Sequence, residues 1–183
     1  MTVLAFRRAA PPPPPAPCEV RIDRQPVRLA LDWQQAIIDE CRRHGGINPD
    51  IVRFLKESGL LDRCSFLASD EDGGPLCFRF IGRPALDTLG EAWGRMVLGQ
   101  PEAVDPHCEF AAAIARQYAE AIDTGEPVVN EIVATGIGKP FSFNHALIGW
   151  RSGNRRAILS AVKMHDVAGP RRLLPVGTEA HAA

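Results

Sequence analysis

His145 follows Phe141 and Phe143 and precedes Leu147 at every second residue, so in an extended chain all four share one face. A titratable ring among aromatics can read a ligand or bind a metal. The plainer reading is a core or cavity histidine bonded to a neighbour. His107 and Cys108 stand at the start of the best helical pattern in the chain, where the helix dipole favours a thiolate. No base or acid is placed beside them by the sequence, and residues of a capping region are the plainer reading. Gly136-Ile137-Gly138-Lys139-Pro140 has the Gly-Lys pair of a phosphate-binding loop, but it lacks the first glycine and has Pro140 where a Ser or Thr would hold magnesium. Since it also joins two strands instead of opening a helix, it reads as a turn. Asp70-Glu71-Asp72-Gly73-Gly74 offers three acids without the alternation and distal Glu of a calcium loop, and it reads as a solvated turn.

The remaining chemistry is sparse. Cys18, Cys41, Cys64, Cys77 and Cys108 form no Cys-x-x-Cys pair, and no His-x-x-x-His completes a zinc site. An odd, scattered set points to reduced thiols in the cytoplasm. No Gly-x-Ser-x-Gly, His-Glu-x-x-His or Gly-x-Gly-x-x-Gly occurs, and no acid stands isolated on an apolar face as acid–base catalysis requires. No catalytic or metal-binding residue is therefore assigned. With 21 Lys and Arg against 22 Asp and Glu, the chain is not a generically basic nucleic-acid binder. That balance hides an asymmetry: residues 1–28 hold five Arg against two acids, residues 151–183 six basic residues against two acids, and the middle is acidic. Basic ends could meet an acidic partner or simply stay solvated. No run of about 18 apolar residues exists to span a membrane. At the start, two arginines after a short apolar stretch run into proline, the reverse of a secretory signal.

Elements must hold these residues in place. Prolines 11–15 and 17 favour the extended polyproline II form, so residues 1–27 are expected as a disordered tether able to act as a spacer or to dock on an aromatic groove. Residues 28–60 predict two helices. The first carries Leu29, Trp33, Ala36, Ile37 and Cys41 on one side and stops at Gly45-Gly46. The second opens with Asn48-Pro49-Asp50 and ends at Gly59. Short strands are expected over 64–69 and 76–82, the latter with Leu76, Phe78 and Phe80 on one face. Residues 84–104 are broken by glycine and proline. A long helix follows Asp105-Pro106, with Phe110, Ile114, Tyr118 and Ile122 every fourth residue and Thr124-Gly125 closing it. Three strands complete the pattern at 127–134, 141–151 and 155–165, the last two joined by a tight hairpin at Ser152-Gly153-Asn154.

The order from Cys64 onward, together with Phe80-Ile81-Gly82 ahead of Leu86 and Leu89-Gly90, Gly94 and Gly99, and the stretch Ala121 to Pro127, resembles the PAS domain in its divergent alphaproteobacterial branch. The resemblance covers about residues 60–166. It implies an α+β fold: a five-stranded antiparallel sheet with helices on one face across a small cavity, preceded here by two N-terminal helices. The corresponding organisation is a tether at 1–27, helices at 28–60, a PAS-like domain at 61–168 and a disordered tail at 169–183. The Asn-Cys-Arg motif of the flavin-binding light sensors is absent, so Cys108 receives no role as an adduct-forming thiol. Haem-binding members supply a histidine from within the long helix, whereas here His107 precedes its body. The resemblance thus argues against flavin and haem and leaves the cofactor unknown.

The resemblance implies a non-enzymatic sensory or protein-interaction module that binds a small, mostly apolar ligand and passes its signal to a separate protein. The alternative is a small α+β enzyme or binding protein with a conical sheet and His145 in its cavity. Strand order separates the two, because the PAS reading places the first strand of the domain inside the sheet with the last strand beside it. The expected cavity wall comprises Phe78, Phe80, Phe143 and His145 from the sheet, opposed by Trp93, Ile114 and Tyr118. A homodimer is expected through the first helix, with Trp33 and Ile37 as its candidate interface.

Overall fold

The computed structural model describes residues 17–45, 48–70 and 73–165. Residues 1–16 of the expected tether and the expected tail at 169–183 lie outside the described residues. Six strands, β1 (Glu19–Gln25), β2 (Cys64–Ala68), β3 (Cys77–Phe80), β4 (Val128–Thr135), β5 (Phe141–Ser152) and β6 (Arg155–His165), form one antiparallel sheet in the order β1-β4-β5-β6-β2-β3. The fold is α+β. β2 therefore lies inside the sheet beside β6, and the Gly153 hairpin sets Ser152 opposite Arg155.

The sixth strand corrects the five expected. Within the stretch assigned to the tether, Val20 and Ile22 alternate with Arg21 and Asp23, and both apolar residues pack on the core while β1 pairs with β4 from Glu19 opposite Thr135 to Gln25 opposite Val129. Gly136 permits this docking, since a Cβ there would lie 2.5 Å from the Pro17 carbonyl oxygen.

Helices cover both faces of the sheet, not one. On the first face lie α3 (Arg83–Leu89), α4 (Glu91–Val97) and α5 (Cys108–Thr124), which enclose a core of Leu67, Ile132, Leu147, Ile158 and the aromatics around them. α5 presses on β5 at Gly149, where a Cβ would meet the Ile122 backbone nitrogen at 2.4 Å. α1 (Asp32–His44) and α2 (Pro49–Glu57) cover the second face with Ile37, Ile38, Cys41, Ile51 and Leu55 against Phe66, Val129, Ala146 and Leu159. Asn48 caps α2 by accepting from the backbone N–H of Asp50 and Ile51. The buried Gln34 of α1 donates to the Ala161 carbonyl at 2.8 Å and accepts from the Leu31 N–H at 3.1 Å, which ties the helix start to β6.

Both residues of the candidate dimer interface lie on α1, where Ile37 is 0% exposed against the chain's own sheet and Trp33 is half-buried beneath the Arg63 guanidinium at 5.2 Å. Ala36 is exposed and Ile38 takes its place in the core, a rotation of the apolar stripe about the helix axis. Among the described residues no helix is long and apolar enough to cross a membrane.

Candidate functional site

Strand alternation sends Phe141, Phe143, His145 and Leu147 of β5 to the first face, where α5 presents Ile114 and Tyr118 one turn apart. A cavity of about 90 Å³ lies between them. Of the seven residues expected to line it, Phe78, Trp93, Ile114, Tyr118, Phe143 and His145 do so. Phe80 does not. β3 carries a bulge: Phe80 stands opposite Phe66 and Phe78 opposite Leu67, so Arg79 is an extra residue that reverses the alternation between the two phenylalanines. Phe80 consequently packs on the second face, edge-to-face with Phe66 at 6.2 Å between ring centres.

The apolar wall is mainly aromatic. Phe78 meets Trp93 edge-on at 6.0 Å, Phe110 meets Phe141 at 5.7 Å, and Phe143 meets the imidazole of His145 at 5.6 Å. Phe110 and Phe141 are legible from the same periodicities that mark their neighbours.

Polar groups enter at defined points. His145 is 1% exposed and its Nε2 lies 2.9 Å from Asn130 Nδ2, directly across the β4–β5 pair. Burial, aided by the charge of Arg24, pushes the His145 pKa down to about 3, so the ring is neutral at ordinary pH. The Tyr118 hydroxyl is not its partner: among the described residues neither that hydroxyl nor the Ser160 hydroxyl makes a hydrogen bond, and both residues line the cavity. Burial holds the Tyr118 pKa above its usual value. Asp105, 5% exposed, accepts from the Trp93 indole at 3.3 Å and from the backbone and Nδ1 of His107. It thereby orients one cavity wall. Glu102 has one carboxylate oxygen buried without a partner, and desolvation raises its pKa against the opposing pull of Arg156. Asn130, Glu102, Asp105 and Ser160 are not among the residues expected at the site. Alternation with Val128 and Ile132 marks Asn130, but no periodicity points to the acids in the short link before α5.

Other candidates lie elsewhere. Cys108 is exposed and outside the cavity, its thiol turned toward the Asp105 and Pro106 carbonyls. Gly136 to Pro140 lies in the turn between β4 and β5. Asp70 pairs with Arg79. Cys41 and Cys64 are buried, with their thiols pushed up to about 12 by desolvation. Among the described residues no group of three or more His, Cys, Asp or Glu side chains is arranged to hold a metal ion. A second recess of about 520 Å³ shares Pro84, Thr88, Phe141, Val162 and Met164 with the cavity and adds Arg63, Arg83, Asp87, Lys163 and His165 at its outer side.

No protein-family model matches the sequence, and no curated protein matches it. Among solved structures, the PAS domain of Bordetella pertussis BvgS is similar at 15% identity and a TM-score of 0.45, over 65% of this chain and 89% of that one. The Vibrio cholerae VqmA dimer, described among LuxR-type receptors, is similar at 15% identity and a TM-score of 0.41, over 61% of this chain. The match spans about half of the VqmA chain, 51%. At these scores neither likeness carries weight beside the strand order and cavity of this chain.

Proposed function

We propose that the chain is a PAS-like sensory or protein-interaction module of signal transduction, which binds a small ligand between its sheet and α3–α5 and signals through another protein. The observation that carries this reading is a partly open, aromatic-walled cavity in which Tyr118, Ser160 and His145 keep unspent hydrogen-bonding capacity and Glu102 Oε2 is buried without a partner. A buried polar group without a partner costs about 1–3 kcal/mol, a cost that a ligand or water in the cavity offsets. Strand order supports the PAS-like part of the reading, since β2 is interior and pairs with β6.

The same geometry argues against catalysis at His145. A base with a pKa of about 3 is far from the range suited to proton transfer near neutrality, and the oxygens of Asp105 are already engaged. Native mass spectrometry of the purified chain, followed by thermal shifts against a metabolite panel for wild type and His145→Leu, tests the proposal. A ligand that stabilises the wild type and not the folded variant supports it. Identical shifts for both proteins, or none for either, count against it.

A further inference from the structure

The chain of hydrogen bonds behind His145 determines which way its ring presents itself. Arg24 of β1 can only donate, and its Nε gives a hydrogen bond to Asn130 Oδ1 at 2.7 Å. The amide of Asn130 is thereby oriented with Nδ2 toward His145. That Nδ2 donates to Gln117 Oε1 at 3.2 Å and to His145 Nε2 at 2.9 Å, while Gln117 Oε1 also accepts from Arg24 at 2.8 Å. Glu120 holds the guanidinium from the other side at 2.6 Å and 2.7 Å. Every member of this chain has its donor and acceptor roles set by an arginine that has no acceptor to offer. His145 Nε2 must therefore accept, and a neutral ring then carries its proton on Nδ1. Among the described residues Nδ1 has no partner, and His145 lines the cavity.

Resting on the ligand-binding reading above, we propose that the cavity selects an uncharged small organic molecule that presents a hydrogen-bond acceptor, a carbonyl oxygen or a ring nitrogen, to the Nδ1–H of His145. Size follows from volume: if about 150 Å³ accommodates benzene, about 90 Å³ accommodates roughly four non-hydrogen atoms with the walls at rest. Charge selection follows from the surroundings. Anions gain no countercharge from a neutral imidazole, and cations meet an N–H that cannot accept, with the Arg24 guanidinium behind it.

Acetone, isobutene, acetate and isopropylammonium, matched in size and shape, separate these possibilities when titrated into full-length protein labelled with ¹⁵N-histidine. Free protein should show His145 protonated at Nδ1 and bare at Nε2. Acetone should bind saturably and move the Nδ1–H resonance, with acetate and isopropylammonium weaker by about tenfold or more. In His145→Phe, which keeps a ring and removes the donor, acetone should weaken by about tenfold while isobutene is unchanged. Binding of isobutene without acetone, equal binding of either ion, or a proton on Nε2 overturns this inference while leaving the cavity as a ligand site. Failure of every probe to bind overturns both. If the Phe variant does not fold, the wild-type tautomer and the four titrations still decide.

Discussion

Asn130 turns His145 from a group with two interchangeable nitrogens into one with a fixed donor, and it does so because Arg24 leaves the amide one orientation. The same burial makes His145 a determinant of acid stability. Its folded pKa of about 3 lies below the unfolded value of about 6.5, so the unfolded state binds the extra proton first. Its contribution is complete above the unfolded pKa and is lost progressively as pH falls from about 6.5 toward 3. The slope approaches about 1.4 kcal/mol per pH unit in that window. Urea unfolding between those limits should show this slope in wild type and lose one proton's worth of it in His145→Phe; equal slopes would mean that His145 is charged or exposed in the folded state. Arg24→Ala should weaken binding at the cavity although Arg24 lies behind His145, because an unclamped Asn130 no longer dictates the tautomer. Calorimetric titration of acetone into both proteins measures it, and unchanged affinity would remove Arg24 from any positioning role.

Elements with strong periodicity are legible in the sequence alone. The four-residue recurrence of Phe110, Ile114, Tyr118 and Ile122 marks α5, whose Gly125 stop adopts a φ of 70°, and the Gly153 hairpin falls where the turn chemistry puts it. What periodicity misses are features set by pairing instead of local pattern. β1 places only two apolar side chains, Val20 and Ile22, against the core, and proline immediately upstream masks its alternation. The bulge at Arg79 depends on how β3 meets β2, which no residue of β3 announces alone, so strict alternation sends Phe80 to the cavity whereas it packs behind it. Phe78→Leu should accordingly change ligand affinity and Phe80→Leu should lower stability only, as paired titration and unfolding experiments would report. The cavity is also set by element contact at Gly149. An Ala there places a Cβ against backbone atoms of Ala121 and Ile122, which cannot yield as a side-chain tip can. Gly149→Ala should cost about 1–3 kcal/mol by urea unfolding. A neutral result would mean that α5 packs on β5 less closely.

At the scale of the molecule, one sheet separates two cores, and the cavity described above lies in the first. The second, closed by α1 and α2, holds Ile37, Ile38, Ile51, Leu55 and Leu159 at 0% exposure, with Asn144 Oδ1 buried without a partner on the same sheet face. Such a core supplies stability and a stiff back to the sheet, which keeps β5 and β6 in register while their other faces meet a ligand. It also bears on the expectation for α1. An apolar stripe read from sequence cannot say whether its complement is the same chain or a second copy, because both demand the same residues at the same spacing. In this structure Ile37 packs on the chain's own sheet. Ile37→Asp should therefore bury a carboxylate in an apolar core and cost at least about 3 kcal/mol, measured as a lower urea midpoint. Sedimentation of whatever folded fraction remains should give the same mass as wild type. A variant that keeps its stability and sediments at a smaller mass would show instead that this face meets a partner copy, and that α1 departs from the sheet when it does.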